Sequence, residues 1–218
     1  EGDCDALTSV LAKNPGLVDA RSRSPHHATM LHYVAANGIE DELQVSPGNA
    51  AEIARILTDA GALADEICDT SGGDPAQTTL ALTVSSSHPA ARGVQADIVQ
   101  TLCSAGAEPD GRNRDGTPLA TALAFGYPAA VAALVGCGAK TGNIVFAAAA
   151  GRLNSLRAFA APNGWRAGAG GFETRWFRVS NDVNIAAEQG MVAAAMCGQI
   201  DAIRFLTEQG VYVNCAPE

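Results

Sequence analysis

Three histidines lie close together in the stretch SPHHATMLH and could bind a metal ion. His26, His27 and His32 fall within seven residues, and zinc is usually held by three or four such ligands in a tetrahedral arrangement. The first two belong to a loop, whereas the third lies in an apolar segment and is expected to tie a turn together. We therefore predict a structural role for these side chains and no metal site.

Two glycine-rich stretches could be mistaken for phosphate-binding loops. GCGAKT (136–141) lacks the glycines that a P-loop needs six residues before Lys140 and directly before it. GWRAGAGG (164–171) is followed by Glu173 where a dinucleotide-binding fingerprint needs its last glycine. We therefore predict no cofactor, and we expect residues 164–171 to form a flexible loop.

Catalytic motifs do not occur in the sequence. Neither G-x-S-x-G nor H-E-x-x-H is found, and no cysteine and histidine have a recognisable catalytic spacing. Carboxylates in loops usually accept backbone hydrogen bonds and form turns, and five lie in predicted loops: Asp65, Asp69, Asp74, Asp110 and Asp115. The sequence therefore predicts no catalytic residue and a protein that is not an enzyme.

One region, residues 161–190, has the composition of a binding surface. Its aromatic and basic side chains are Trp165, Arg166, Phe172, Arg175, Trp176, Phe177 and Arg178. Trp and Arg are the residues most enriched at hot spots of protein interfaces. Three interpretations stay open: Trp176 and Phe177 cover a gap in the core, the region faces a partner protein, or it lines a small-ligand pocket.

The helices that must position these side chains have an unusual composition. Residues 116–139 form a stretch of 24 residues without a charge, which is long enough to cross a membrane. However, Pro118, Gly126 and Pro128 divide it into two short helices, and no aromatic belt or basic cluster flanks it. We therefore predict a buried helix–turn–helix unit rather than a membrane span.

Both halves of this unit recur along the chain. Windows similar to the first helix are LHYVAANG (31–38), LALTVSSS (80–87), LATALAFG (119–126), IVFAAAAG (144–151) and MVAAAMCG (191–198). In the second helix, a leucine precedes a glycine by four residues: Leu57 and Gly61, Leu102 and Gly106, Leu134 and Gly138, Leu206 and Gly210. Such fixed spacing is typical of repeat arrays. We expect each of these glycines to end a helix with a positive φ.

This pattern resembles the ankyrin repeat, a unit of about 33 residues that combines a turn with two helices and opens with T-P-L-H-x-A. Thr117, Pro118 and Leu119 match that opening, and TMLH (29–32) matches it in part. Segments similar to the end of the family's repeat are GALAD (61–65), GAEPD (106–110) and GVYVN (210–214). The resemblance implies an all-α helix–turn–helix solenoid with about five repeats and an N-terminal half repeat. These would form a single domain over residues 1–218.

Three insertions interrupt the pattern, at 39–49, 88–94 and 161–190. The first two fall at the turn between the two helices of successive repeats, and they should lie side by side on one edge of the stack. The third replaces a connecting loop with a Gly-rich loop and an additional helix from about Asp182. Ser180 or Asn181 is available as the cap of that helix.

The resemblance also implies a function: a non-catalytic scaffold that binds another protein through a concave face of connecting loops and first helices. Arg112 and Arg114 lie in one such loop, and Phe125 lies in a first helix. These three residues therefore join Trp165, Arg166, Arg175, Trp176, Phe177 and Arg178 as candidate partner-binding residues. The alternative is an enzyme or small-ligand-binding protein with a pocket formed by the 161–190 insertion.

Composition limits the partners and the compartment. A net charge of −9 and a pI near 4.8 disfavour nucleic acid as a partner. The six cysteines form no C-x-x-C pair, and packed helices about 10 Å apart are too distant for disulfides, which need Cα atoms within about 7 Å. We therefore expect free thiols, a reducing compartment and a cytoplasmic monomer.

The ends of the chain leave its context open. It begins at Glu1 without Met and without an apolar leader, so we expect a processed or truncated product. A secreted or periplasmic location therefore stays open, as do further repeats or another domain after residue 218.

Overall fold

The computed structural model of the chain describes residues 2–37, 44–70 and 75–216. These residues are mostly helical, with a few strands of two residues each, which agrees with the expected all-α class. Within them, no helix combines the length and the apolar character needed to cross a bilayer. Two compact units divide the chain between Pro118 and Leu119. Asp74 and residues 39–43 of the first insertion lie outside the described residues.

Helices of the first unit pack in pairs. The elements are α1 (Cys4–Lys13), a 3-10 turn (Pro15–Leu17), α2 (Met30–Val34), α3 (Ala50–Asp59), strands β1 (Ile67–Cys68) and β2 (Gln77–Thr78), α4 (Thr79–Ser85), α5 (Ser87–Arg92) and α6 (Gln95–Ser104). Strands β1 and β2 pair antiparallel. Helix α2 packs on α3 and α4, while α6 packs on α4 and α3, and α1 packs on α3. Helices α2 and α3 thus form one pair, and α4 and α6 form the next. The first helices of the two pairs, α2 and α4, lie side by side, and so do the second helices, α3 and α6.

The second unit follows the same arrangement in its last four helices. Its elements are α7 (Thr117–Ala124, whose first two residues precede the division), α8 (Pro128–Gly136), α9 (Ile144–Ala149), α10 (Leu153–Phe159), strands β3 (Ala160–Ala161), β4 (Gly164–Trp165), β5 (Phe172–Glu173) and β6 (Arg178–Val179), α11 (Val183–Met196) and α12 (Ile200–Glu208). Helix α9 packs on α10 and α11, and α12 packs on α11 and α10. All six residues of α9 are buried. A Cβ at Gly190 of α11 would lie 3.4 Å from the Ala148 side chain, so small residues allow α9 and α11 to approach closely.

A leucine and a glycine end four second helices in the same way. Gly61, Gly106, Gly138 and Gly210 have φ angles of 111°, 100°, 100° and 87°. The residue after each glycine donates its N–H to the carbonyl of the leucine four residues before that glycine, at 2.9–3.0 Å. This is the Schellman arrangement. Because those leucines are at most 1% exposed, the expected helix ends and the expected burial are both confirmed.

Several boundaries differ from the prediction. In the window 31–38, whose last residue lies outside the described residues, the helix ends at Val34, and Ala36 takes a positive φ of 46°. The second insertion, expected as extra turn residues, is mostly helix α5, because Pro89 is tolerated in a first helical turn and Gly93 ends the helix with φ 76°. The helix expected from about Asp182 continues into the window 191–198 as the single helix α11.

The cap of α11 is also different from the predicted one. The carboxylate of Asp182 accepts the N–H of Asn184 at 2.8 Å, so Asp182 is the cap rather than Ser180 or Asn181. The hydroxyl of Ser180 instead accepts the N–H of Asp182 at 3.1 Å. Ser180 therefore fixes the backbone just before α11, and Asp182 caps the helix.

His32 connects two loops of the first unit, as its predicted structural role requires. Its Nδ1 accepts the backbone N–H of Thr29 at 3.2 Å, and its Nε2 lies 3.0 Å from the carbonyl oxygen of Glu66. Since a carbonyl only accepts, Nε2 carries the proton and the ring is neutral. Arg21 joins the same loops by donating to the carbonyls of His27 and Ile67, each at 2.9 Å.

Truncation of Leu134 should destabilise the second unit. The side chain is fully buried, so Leu134→Ala removes apolar contacts and leaves a cavity, which costs about 2–5 kcal/mol. Val192→Ala is the matched control, because Val192 is 49% exposed and surface truncations usually cost about 0.5 kcal/mol. Urea denaturation measures both. Equal losses in the two variants would contradict the burial described for Leu134.

Acid should destabilise the first unit through His32. Burial, aided by the positive charge of Arg21, lowers the pKa of His32 below its usual value of 6.5. Below that pH the unfolded chain binds a proton at His32 before the folded chain does, so the free energy of unfolding decreases as the pH falls. Above pH 6.5 the ring is neutral in the folded and in the unfolded chain, so His32 makes its full contribution to the free energy of unfolding.

Urea denaturation at about pH 7.5 and about pH 5.5 measures this effect. The difference in the free energy of unfolding between these two pH values should shrink in His32→Gln and persist in His26→Gln. An unchanged difference in His32→Gln would show that other groups cause the pH dependence.

Candidate functional site

Strands β5 and β6 form a hairpin inside the third insertion. Phe172 pairs with Val179, and Glu173 pairs with Arg178. The turn is closed by the N–H of Thr174, which donates to the carbonyl of Phe177 at 2.8 Å. Arg175 and Trp176 therefore occupy the tip of a hydrogen-bonded turn.

Aromatic side chains fix this hairpin to helix α9. The ring of Phe146, which is 3% exposed, lies 4.9 Å from the ring of Phe172 in an edge-on contact and 6.2 Å from that of Phe177 in a stacked one. Aromatic pairs of this kind each contribute about 0.5–1.5 kcal/mol beyond their buried area. Phe172 and Phe177 therefore cover the core at α9, which is the covering role considered for Phe177.

Glycines before the hairpin serve close packing rather than a flexible loop. The backbone of Gly170 lies so near Ser180 that an added Cβ would overlap with the Ser180 carbonyl oxygen. That carbonyl accepts the N–H of Gly171 at 2.8 Å, and the carbonyl of Ala169 accepts the N–H of Ile144 at the start of α9, also at 2.8 Å. The expectation of a flexible loop over 164–171 was therefore wrong for its last residues, since the sequence does not indicate which backbone approaches them.

Three aromatic rings and one guanidinium from the hairpin tip and the end of α7 form a cluster, here named the aromatic patch: Phe125, Tyr127, Arg175 and Trp176. Trp176 is 54% exposed and Phe125 is 42% exposed. Their ring centroids are 6.1 Å apart, and Tyr127 stacks on Phe125 at 6.2 Å. The guanidinium carbon of Arg175 lies 4.5 Å from the centroid of the Trp176 ring, which is within the range of a cation–π contact.

The end of α7 sets the position of Phe125 and Tyr127. Gly126 has a φ of 72°, and the N–H of Tyr127 donates to the carbonyl of Ala122 at 2.9 Å. The two rings therefore flank a fixed reversal of the chain. Sequence reasoning missed Tyr127, although its place two residues after Phe125 in a chain with only 5% aromatic residues was a signal that could have found it.

Other predicted site residues make their contacts elsewhere. Trp165, in β4, is half-buried and lies 6.3 Å from the ring of Phe205 in α12. Arg166 donates to the carbonyl of Ala160 at 3.1 Å. Arg178 is exposed on β6. The structure thus brings Phe125, Arg175 and Trp176 together, and it gives Trp165 and Arg166 contacts with a different hairpin and helix.

Arg112 and Arg114 belong to the first unit. Arg112 is exposed. Arg114 forms an ion pair with Glu108, with 2.8 Å between Nε and Oε2, and it has a positive φ of 55°. Its guanidinium therefore helps to close its own loop.

Histidine, cysteine and carboxylate side chains are the groups that could have supported metal binding or catalysis. Nowhere in the described ranges do three or more His, Cys, Asp or Glu side chains converge as a metal site would require. All six cysteines are described, and none forms a disulfide. Burial raises the pKa of Cys197 to about 11, which leaves it protonated and unreactive near neutral pH.

A shallow cleft lies at the beginning of α10. It has a volume of about 340 Å³ and is lined by Gly151, Arg152, Leu153, Asn154, Ser155 and Arg157. None of these residues belongs to the 161–190 insertion. The cleft is therefore different from the small-ligand pocket considered for Trp165 and Trp176.

Comparison with family models and with curated proteins finds no match for this chain. No model of a known protein family matches it, and no curated protein has a sequence similar enough to count as a match. Inferences about its function therefore depend on the residues and contacts described above.

Substitution of Gly170 should loosen the hairpin. In Gly170→Ala the new methyl group meets the Ser180 carbonyl, so the backbone must shift, at a cost of about 1–3 kcal/mol. Hydrogen exchange should speed up at the amides of Gly171 and Thr174. Gly142→Ala is the control, because a Cβ there has no neighbour within 4 Å among the described atoms. Unchanged exchange in Gly170→Ala would show that the close approach does not hold the hairpin.

Proposed function

We propose that this chain is a non-catalytic protein-interaction domain, built as a divergent ankyrin-type repeat solenoid, that binds a partner protein at the aromatic patch. The solenoid is supported by the helix pairs of each unit, which pack first helix on first helix and second helix on second helix. The repeated bond between a buried leucine carbonyl and the residue after glycine supports it as well. The contact of His32 with Thr29 agrees with the role that the T-P-L-H opening has in the ankyrin family.

One observation carries the proposed binding site: Trp176 is 54% exposed, yet a closed hairpin turn fixes its position. Phe172 and Phe177 already attach the hairpin to α9, so the hairpin does not need Trp176 for its own packing. Exposure of a large ring to water costs about 25 cal/mol per Å² of apolar surface, and a partner that covers the ring recovers this free energy. Exposed apolar surface of this kind is typical of interaction sites.

The way the patch is held also favours binding. Its rings are carried by a hydrogen-bonded hairpin turn on one side and by the hydrogen-bonded end of α7 on the other, so little backbone freedom has to be lost when a partner binds. Ordering a flexible interface side chain costs about 0.5–1.5 kcal/mol each. A site that is ordered beforehand avoids most of that cost.

The alternative of a small-ligand pocket in the insertion receives less support. The cleft at α10 is lined by residues outside the insertion. Arg175 and Trp176 stand at an open hairpin tip, which a partner surface can cover, whereas a small-ligand pocket would have to enclose them.

Truncation of Trp176 should separate binding from stability. We expect Trp176→Ala to weaken partner binding by about 2 kcal/mol or more, and to change the free energy of unfolding by only about 1 kcal/mol, since one aromatic pair is lost. Phe177→Ala should do the opposite and destabilise the fold by about 3 kcal/mol, because Phe177 packs on buried Phe146. Tyr212→Ala, which alters an aromatic side chain that is 66% exposed outside the patch, is the control.

Two measurements on each purified variant test this proposal. Thermal unfolding reports stability, and affinity capture from an extract of the native cells reports binding. If Trp176→Ala does not affect capture of the partner protein, the proposed binding site is wrong. A large loss of stability in the same variant would show that Trp176 is a packing residue.

A further inference from the structure

Charge is distributed unevenly along the chain, and the aromatic patch lies in its most basic part. Between residues 117 and 181 the sequence contains six basic residues and a single acidic one, Glu173. The chain as a whole has 14 basic and 23 acidic residues, with a net charge of −9. A segment with a net charge of +5 is therefore set in a chain that is otherwise strongly acidic.

Basic side chains lie at the hairpin that presents the patch. Arg175 stacks over the Trp176 ring at 4.5 Å, and Arg178 is exposed on β6. A guanidinium is planar and binds carboxylates through paired hydrogen bonds. Exposed ring surface and guanidinium groups are thus presented within one turn of the chain.

This juxtaposition favours an acidic partner segment with an apolar centre. We propose that the aromatic patch binds a short acidic peptide segment of another protein, which places an aliphatic or prolyl side chain on Trp176 and Phe125 and directs carboxylates towards Arg175 and Arg178. The inference rests on the proposed function and specifies the chemistry of its partner. Complementary charge gives such a site its specificity and speeds association, while the buried apolar side chain provides most of the affinity.

Single-stranded nucleic acid is the other macromolecule that binds to aromatic rings flanked by arginines. Nucleic acid favours basic surfaces, whereas the chain carries a net charge of −9, with 22 acidic and 8 basic residues outside residues 117–181. A short peptide needs to contact only the hairpin and the end of α7, where Arg175 and Arg178 outnumber Glu173. The charge distribution therefore favours the acidic peptide.

Fluorescence anisotropy with synthetic peptides tests this inference. The probe is a fluorescein-labelled peptide in which glutamates flank a central Leu-Pro-Leu. One comparison peptide has lysine in place of each glutamate, a second has serine in place of the apolar centre, and an oligothymidine strand is the nucleic-acid probe. We expect binding of the first peptide alone, and we expect it to weaken as salt is raised, because exposed charges are screened.

Variants then locate the site. Trp176→Ala should weaken binding of the acidic peptide about thirtyfold, which corresponds to about 2 kcal/mol, while Trp176→Phe should retain most of it. Arg175→Gln and Arg178→Gln should each weaken it about threefold. Arg204→Gln and Tyr212→Ala, which alter exposed side chains of the second unit outside the patch, should leave it unchanged.

Tighter binding of the lysine peptide or of oligothymidine would overturn the inference, and so would an affinity for the acidic peptide that Trp176→Ala does not change. These results are distinguishable from failure of the proposed function. If the acidic peptide does not bind but Trp176→Ala still abolishes capture from the native extract, the interaction domain stands and the acidic partner is wrong. If Trp176→Ala changes neither measurement, both proposals fail.

Discussion

The hydrogen bond from the residue after each helix-ending glycine to the carbonyl of a buried leucine sets the spacing of the helices. Only glycine adopts the required positive φ without a steric cost, so the chain reverses at a fixed distance from the leucine. The leucine side chain fills the core while its carbonyl closes the turn. Burial and chain reversal are therefore coupled at one residue. Similar bonds end the first helices α7, α9 and α11, where Tyr127, Arg152 and Gln199 donate to alanine carbonyls at 2.8–2.9 Å.

This coupling explains which parts of the fold could be predicted from the sequence. The helix ends depend on residues within six positions of each other, so the leucine and glycine spacing was sufficient to find them. Helix α5 and the continuous α11 were missed. The spacing between repeated motifs shows that residues have been inserted, but it does not show whether those residues form a longer turn or a helix. The cap at Asp182 was missed by one residue, since neighbouring polar side chains compete for the same backbone groups.

The candidate site was predictable in composition but not in geometry. The concentration of Trp and Arg singled out the third insertion, but of its four aromatic side chains only Trp176 is largely exposed. Trp176 and Phe177 are adjacent in sequence but lie in different environments, because Phe177 contacts Phe146, about thirty residues away. Sequence patterns identify only neighbours within one helix or strand, so this difference could not be predicted. Tyr127 and the packed glycines depend on long-range contacts in the same way.

The hairpin on α9 separates two tasks within eight residues. Its base, with Phe172 and Phe177, contacts the buried Phe146 ring, whereas its tip, with Arg175 and Trp176, contributes little to the core. Substitutions at the tip are therefore expected to leave the fold intact, whereas substitutions at the base disturb the packing on α9. The hairpin is thus a place where a protein engineer can exchange the two residues of the tip on an unchanged scaffold.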